Sequence, residues 1–225
     1  MACLGRLRPH RRGERTQAAL QSVKLFLRSQ THALQALQLQ AGGHLVTASP
    51  IGDTLPCLMA LGAEVTLAAS DSSRSLAVTD FITGYRQTAL EPGEFVESIS
   101  VPVPPAGAVF AAYKISRRFD QDISAVVAAF LLTLAEDGTV TDICAFYGGV
   151  GPTTLRANRM EQAVRGQNWN RETVAAGMAA LAGDISPMDD FRATADYRNR
   201  VAANLLQRFH AETTDGEQPV RLETL

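Results

Sequence analysis

The sequence predicts an α+β fold, with a three-stranded antiparallel sheet packed against a helical bundle. Three strand-like apolar segments lie in the second half of the chain, at 109–117, 123–134 and 140–148. The last two are separated by Glu136-Asp137-Gly138, a strong hairpin signal. Three helical patterns follow, at 153–166, 170–183 and 190–211. Strands followed by helices are typical of a sheet covered by helices on one face.

The first half predicts a smaller unit of short elements. Alternating residues at 64–69 and 74–78 predict a hairpin, and 95–101 predicts a further strand. Residues 44–53 predict a short strand and turn leading into a helix over 55–61, which has proline in its first turn and glycine after its end. We place a boundary at about residue 105, which divides the chain into domains at 42–105 and 106–212.

The composition is that of an ordinary globular chain of 225 residues, with 46% apolar residues and a net charge of −2. A charge this small gives no reason to expect nucleic acid or an anionic membrane as a partner. Cys3, Cys57 and Cys144 lack the paired spacing of zinc or iron–sulfur ligands, so we expect no metal on this chain. Unpaired cysteines also suit a cytoplasmic protein.

The two ends of the chain differ from its middle. Basic residues dominate the first 30 positions, as in transit peptides and basic tails, and leucines at 27, 34 and 37 predict an amphipathic helix within 16–40. We expect residues 1–41 to be an unassigned segment that is disordered or frameshifted, and 213–225 to be a tail.

The densest polar segment runs from Lys114 to Asp122, at a strand end and in the loop after it. Ammonium and guanidinium groups suit oxyanions, so this segment predicts either a diphosphate site or a contact to a ring carbonyl. The alternative is a solvated loop whose arginines and aspartates pair with one another.

A second candidate is Ser49-Pro50-Ile51-Gly52-Asp53, a tight turn that places a carboxylate at the start of a helix. Asp53 is suited to accept a hydrogen bond from a ligand hydroxyl, and either Asp53 or Thr54 is suited to cap the helix. For Asp53 the two roles can coexist. The glycine pairs at 42–43 and 148–149 permit turns or a close backbone approach, but they match neither a Rossmann nor a P-loop fingerprint.

Two segments together resemble the FAD subunit of bacterial xanthine dehydrogenases, in the molybdenum hydroxylase family. They are TASPIGDTLP at 47–56 and YKISRRFDQDIS at 113–124. Further similar segments lie in the same order at 81–88, 92–102, 145–157 and 184–193. The resemblance implies that 42–105 is the C-terminal part, or remnant, of a PCMH-type FAD-binding lobe. It implies that 106–212 is a CO dehydrogenase flavoprotein C-terminal-like domain.

The resemblance also implies a function in purine catabolism. Electrons would pass from a molybdenum cofactor on a large partner subunit, through [2Fe–2S] clusters on other domains, to FAD and then to NAD. An alternative is a truncated, non-catalytic module that only docks to the molybdenum subunit. A related flavoprotein acting with carbon monoxide, an aldehyde or an N-heterocycle is a third hypothesis.

Site residues follow from the resemblance by position. Asp53 is expected at the adenosine part of FAD, Val96 as a backbone contact, and Lys114 at the flavin ring. The loop 117–122 is expected beside the ring, with Asp120 tuning its potential and the access of NAD.

Three further cofactor-binding positions are expected nearby: Gly43, His44 and Ser49. His44 stands where the family has asparagine, and its imidazole can donate to a phosphate. No catalytic residue or metal ligand is expected on this chain.

Overall fold

The computed structural model describes residues 2–3, 43–118 and 122–214. The prediction for residues 1–41 therefore lies outside the described residues, apart from positions 2 and 3. Ten strands are described: β1 Ala2–Cys3, β2 Glu64–Ala68, β3 Ser73–Ala77, β4 Ile82–Gly84, β5 Gln87–Thr88, β6 Phe95–Ser100, β7 Val109–Ile115, β8 Val126–Leu134, β9 Val140–Gly148 and β10 Leu155–Arg156. The named helices are α1 Leu55–Ala60, α2 Val78–Phe81, α3 Asn158–Val164, α4 Arg171–Leu181 and α5 Ala195–Thr214. Residues 43–47 are also helical.

The larger sheet has the strand order β1-β7-β8-β9-β10, with every pair antiparallel. Its three long strands, β7, β8 and β9, are those predicted from the sequence, and the α+β class is confirmed. The two short strands β1 and β10 extend the sheet at its edges and were not predicted. Among the described helices, none combines the length and apolar character needed to cross a bilayer.

The central strand β8 is buried on both faces. Val126, Ala128 and Phe130 belong to one apolar cluster, together with residues of α3, α4 and α5. Val127 and Ala129 belong to a second cluster, formed with α1 and β2. Side chains alternate between the faces of a strand, so a continuous apolar run fills both cores. The first half of the chain thus covers the face that the helices leave open.

The first half forms a three-stranded sheet in the order β3-β2-β6. The predicted hairpin is present, because Glu64 pairs with Ala77 and Ala68 pairs with Ser73. The predicted helix is α1, which packs on β8 and β9. The small β4–β5 hairpin, which lies between β3 and β6 in the sequence, was not predicted.

The prediction of a short strand at the beginning of segment 44–53 is wrong, because residues 43–47 are helical. Leu45 and Ala48 are both buried, three residues apart, whereas Val46 is exposed. Apolar burial at this spacing is typical of a helix. The Thr47 hydroxyl also donates to the carbonyl of Gly43, at 2.8 Å. Ala48 then takes a positive φ of 44°, and turns lead to α1.

Two helices begin later than predicted. Helix α3, predicted from residue 153, starts at Asn158, because Leu155 and Arg156 pair with β9. The last starts at Ala195, whose N–H is bound by the Asp189 carboxylate at 2.5 Å. The last helix continues to Thr214, three residues past its predicted end at 211.

Candidate functional site

The centre of the site is a buried ion pair between Asp53 and Lys114. Each residue is only 7% exposed, and Lys114 Nζ donates to Asp53 Oδ2 at 2.6 Å. The Ser124 hydroxyl donates to the other carboxylate oxygen, Asp53 Oδ1. Both oxygens of one buried carboxylate are therefore bound by residues that lie far away in the sequence. The structure brings together two of the predicted site residues, Asp53 and Lys114.

The turn at 49–53 rests on the end of β9. Within the turn, the Gly52 N–H donates to the Ser49 carbonyl at 3.0 Å. The Gly149 N–H donates to the Pro50 carbonyl at 2.7 Å. A Cβ at Gly148 would lie 3.1 Å from the same carbonyl oxygen, which is tighter than ordinary contact. The glycine pair at 148–149 thus lets the turn approach the sheet and fixes the position of Asp53.

Lys114 lies on a strand of the larger sheet, and Ser124 lies just before the neighbouring strand. Lys114 lies in β7 opposite Val127 of β8, and Ser124 lies two residues before β8 begins. The Ala125 N–H donates to the Ile115 carbonyl at 2.7 Å, which ties the two segments together. The β7–β8 pair therefore delivers an ammonium and a hydroxyl to one carboxylate.

Of the two residues predicted to cap helix α1, Thr54 and not Asp53 takes the N-cap position. The Thr54 side chain makes no capping hydrogen bond. The Asp53 carboxylate is turned instead toward Lys114 and Ser124. In the first turn of α1, the thiol of Cys57 lies 3.7 Å from the Asp53 carbonyl. Burial, and secondarily the negative charge of Asp53, raise the pKa of the Cys57 thiol well above its usual value.

Four of the other predicted site residues lie on two segments of the chain. Gly43, His44 and Ser49 precede Asp53 on the same segment, and His44 Nδ1 lies 3.3 Å from Thr54 Oγ1. The Ser49 hydroxyl is 3.5 Å from the Ile51 N–H, within its own turn. Val96 lies in β6 opposite Leu67, in the smaller sheet. Their roles toward a cofactor stay predictions.

The loop after β7 is more exposed than the ion pair. Asp122 accepts from the Arg118 N–H at 2.8 Å, and its carboxylate lies 3.5 Å from the Arg118 guanidinium. The Arg118 N–H is the main cause that holds the pKa of Asp122 below its usual value. The pairing proposed as the alternative for this segment is thus present at 118–122. Asp120 lies outside the described residues.

Ser124 is the site residue that sequence reasoning missed. It was part of the family-like segment but received no role. The available signal was its position, as a polar residue directly before the apolar run of β8. A buried hydroxyl at such a point needs a hydrogen-bond partner, and here that partner is Asp53.

The two halves of the chain, joined by this buried ion pair, form a flavoprotein-type fold. Residues 40–104 match the FAD binding domain in molybdopterin dehydrogenase, and residues 111–213 match the CO dehydrogenase flavoprotein C-terminal domain. The chain belongs with the flavin-binding parts of the molybdenum hydroxylase family.

Individual relatives agree with this assignment. The chain is 35% identical over 196 residues to the xanthine dehydrogenase/oxidase of Gallus gallus. The aligned region covers 83% of this chain but only 14% of that protein. The chain is 34% identical over 173 residues to a nicotinate hydroxylase of Emericella nidulans, which covers 74% of the chain and 13% of that protein. The chain thus spans about one seventh of the length of these curated relatives.

Solved structures share the fold. A chain of CO dehydrogenase from Oligotropha carboxidovorans superposes with a TM-score of 0.69 at 29% identity, covering 74% of this chain and 58% of that one. Quinoline 2-oxidoreductase from Pseudomonas putida 86 has the same TM-score at 23% identity, covering 85% of this chain and 72% of the other. The second likeness concerns the fold alone.

Proposed function

We propose that the chain binds FAD and is the electron-transfer part of a xanthine dehydrogenase-like molybdenum hydroxylase. The observation that carries this proposal is the buried contact between Asp53 and Lys114, which joins the two flavoprotein-type domains. A charged pair enclosed between two domains is costly to desolvate, which supports a binding or positioning role for a pair retained there.

The chemistry of the site fits FAD. A lysine ammonium has several N–H donors, and a carboxylate has several lone pairs. The two side chains can therefore bind each other and also contact ligand hydroxyls or ring carbonyls. The Ser124 hydroxyl orients the carboxylate, and His44 beside Thr54 adds a ring nitrogen. This donor set suits a polyhydroxylated, carbonyl-bearing cofactor.

Asp53 and Lys114 would hold the same part of FAD. Their contact of 2.6 Å is difficult to reconcile with one residue at the adenosine and the other at the flavin ring of an extended cofactor. We therefore place both at the flavin end, with Lys114 as the group nearest the ring. A cation there favours negative charge on the ring. The sequence-based placement of Asp53 at the adenosine stays an alternative prediction.

FAD held by this chain would supply flavin redox chemistry, in which two electrons from iron–sulfur clusters and a proton from solvent are transferred together to NAD as hydride. This chain's residues would bind and orient the cofactor and adjust its charge. Asp120 stays our candidate for tuning the ring and the access of NAD. The molybdenum subunit, the iron–sulfur domain and NAD are the proposed partners, in the cytoplasm.

The test is to purify the whole chain, add FAD, desalt it and record the visible spectrum. We expect flavin bands to remain with the protein. A folded chain that stays colourless would contradict FAD binding by this chain and would favour the docking module. Circular dichroism in the far ultraviolet serves as the control for folding in both cases.

A further inference from the structure

A buried arginine lies next to the site described above. Arg198 of α5 is 3% exposed. Its Nη1 donates to the carbonyl oxygens of Ala125 and Gly149, the second at 3.0 Å. Its Nη2 donates to Asp190 Oδ1 at 2.6 Å. One guanidinium therefore connects helix α5 with the ends of two strands.

The two carbonyl oxygens belong to the backbone that holds Asp53. Ala125 directly follows Ser124, whose hydroxyl binds the Asp53 carboxylate. Gly149 donates its N–H to Pro50, in the turn that carries Asp53. The Ala125 carbonyl is thus one residue away from the hydroxyl group that binds Asp53. The Gly149 carbonyl belongs to the residue whose N–H binds the turn that carries Asp53.

The junction at Gly149 leaves no room for adjustment. Gly149 has a positive φ of 81°, a conformation that glycine adopts readily. A Cβ built at this position would overlap the Ala125 carbonyl oxygen, and it would lie 3.2 Å from Arg198 Nη1. The guanidinium and two backbone segments are therefore in direct contact, so movement of one is transmitted to the others.

The opposite end of the guanidinium is held by a turn. Asp190 accepts from the N–H groups of Arg192 at 2.8 Å and Ala193 at 2.9 Å. The Arg192 carbonyl in turn accepts from Arg117 Nε at 2.8 Å. Arg117 is the first residue of the loop predicted to lie beside the flavin ring. The Asp190 turn therefore links Arg198 to that loop as well.

We propose that Arg198 is a positioning residue for the flavin site: it fixes Ala125 and Gly149 so that Ser124 and the 49–53 turn hold Asp53 against Lys114. This inference rests on the proposed FAD binding. Arg198 acts through the backbone and does not touch the ligand. A lysine at 198 cannot reproduce the forked set of donors, because an ammonium is a point charge without the planar geometry of guanidinium.

The test compares Arg198→Lys and Arg198→Met in the full chain, with Arg200→Met as the matched control. Arg200 is exposed and lies on the same helix. Hydrogen exchange is measured without FAD over residues 49–58, with α4 as the internal reference. FAD affinity is measured by fluorescence titration, and the visible circular dichroism of the bound flavin reports its environment.

Loss of hydrogen bonds to a charged group predicts about tenfold faster exchange at 49–58 and about tenfold weaker FAD binding in both Arg198 variants. We expect α4 exchange to stay as in the parent. Arg198→Lys should also change the visible dichroism of bound flavin, which a purely structural role would not alter. Arg200→Met should match the parent in every measurement.

Unchanged exchange at 49–58 in both variants would overturn the role of Arg198. Exchange that rises equally in α4 would also overturn it, since Arg198 would then be a general core residue. A parent chain that binds no FAD would overturn the proposed function instead. If Arg198→Met does not fold, the conservative Arg198→Lys variant decides the question.

Discussion

Two ion pairs from one short segment of sequence differ sharply in their surroundings. Lys114 binds Asp53 across 61 positions at 2.6 Å, and both side chains are 9% exposed. Arg118 lies 3.5 Å from Asp122, four residues away, and its side chain is 75% exposed. The first pair joins two domains, whereas the second stays within one loop.

Burial decides what each pair does. Water screens an exposed pair, so it contributes little to the free energy of unfolding. A buried pair is costly to form, and removal of one partner leaves an uncompensated charge inside the protein. The dense run of charge at 114–122 is therefore not a single site. It divides into a buried contact at Lys114 and a surface loop that carries the Arg118–Asp122 pair.

The largest expected effect is that of Lys114→Ala. Removal of the ammonium leaves the Asp53 carboxylate buried without its countercharge. We expect the free energy of unfolding to fall by about 3–5 kcal/mol, together with loss of bound FAD. Urea denaturation at neutral pH, with a flavin spectrum after desalting, measures both. The matched control Arg118→Ala should leave stability close to the parent.

A double variant sharpens this comparison. Replacing the pair with apolar residues, as Lys114→Met with Asp53→Leu, removes both charges. We expect this variant to be more stable than Lys114→Ala, because no unpaired charge remains, yet still unable to retain FAD. Equal stability of the two variants would contradict the view that the unpaired carboxylate causes the loss.

Ser124→Ala should have a smaller effect. It removes one hydrogen bond to a charged oxygen but keeps the ion pair, so the free energy of unfolding should fall by about 1.5–3 kcal/mol. Thr133→Ala, at a half-buried position within β8, provides a control for loss of a hydroxyl from the same part of the chain. A Ser124→Ala chain as stable as this control would argue against a strong bond to Asp53.

The sequence predicted the three long strands of the larger sheet and the order of the helices that follow them, because long apolar runs and glycines at helix ends are local signals. It also singled out Asp53 and Lys114, but it could not show that they touch. That contact depends on how the 49–53 turn seats on Gly148 and Gly149, which is a matter of packing. The helix at 43–47 was missed for a similar reason. Leu45 and Val46 are both apolar, and only the folded structure shows that Leu45 is buried and Val46 is exposed.

The smallest effect concerns the exposed pair. The N–H groups of Arg118 and Ile123 favour the charged form of Asp122 in the folded chain and keep its pKa below the ordinary value of about 3.9. The resulting stabilisation is fully present above that pH and is lost as the pH falls through the folded pKa. An NMR titration should therefore show Asp122 more than half ionised at the pH where an ordinary aspartate is half protonated. Arg118→Ala keeps the main-chain N–H, so we expect it to raise the Asp122 pKa only slightly. A shift to the ordinary value would mean that the guanidinium, rather than the backbone, governs this loop.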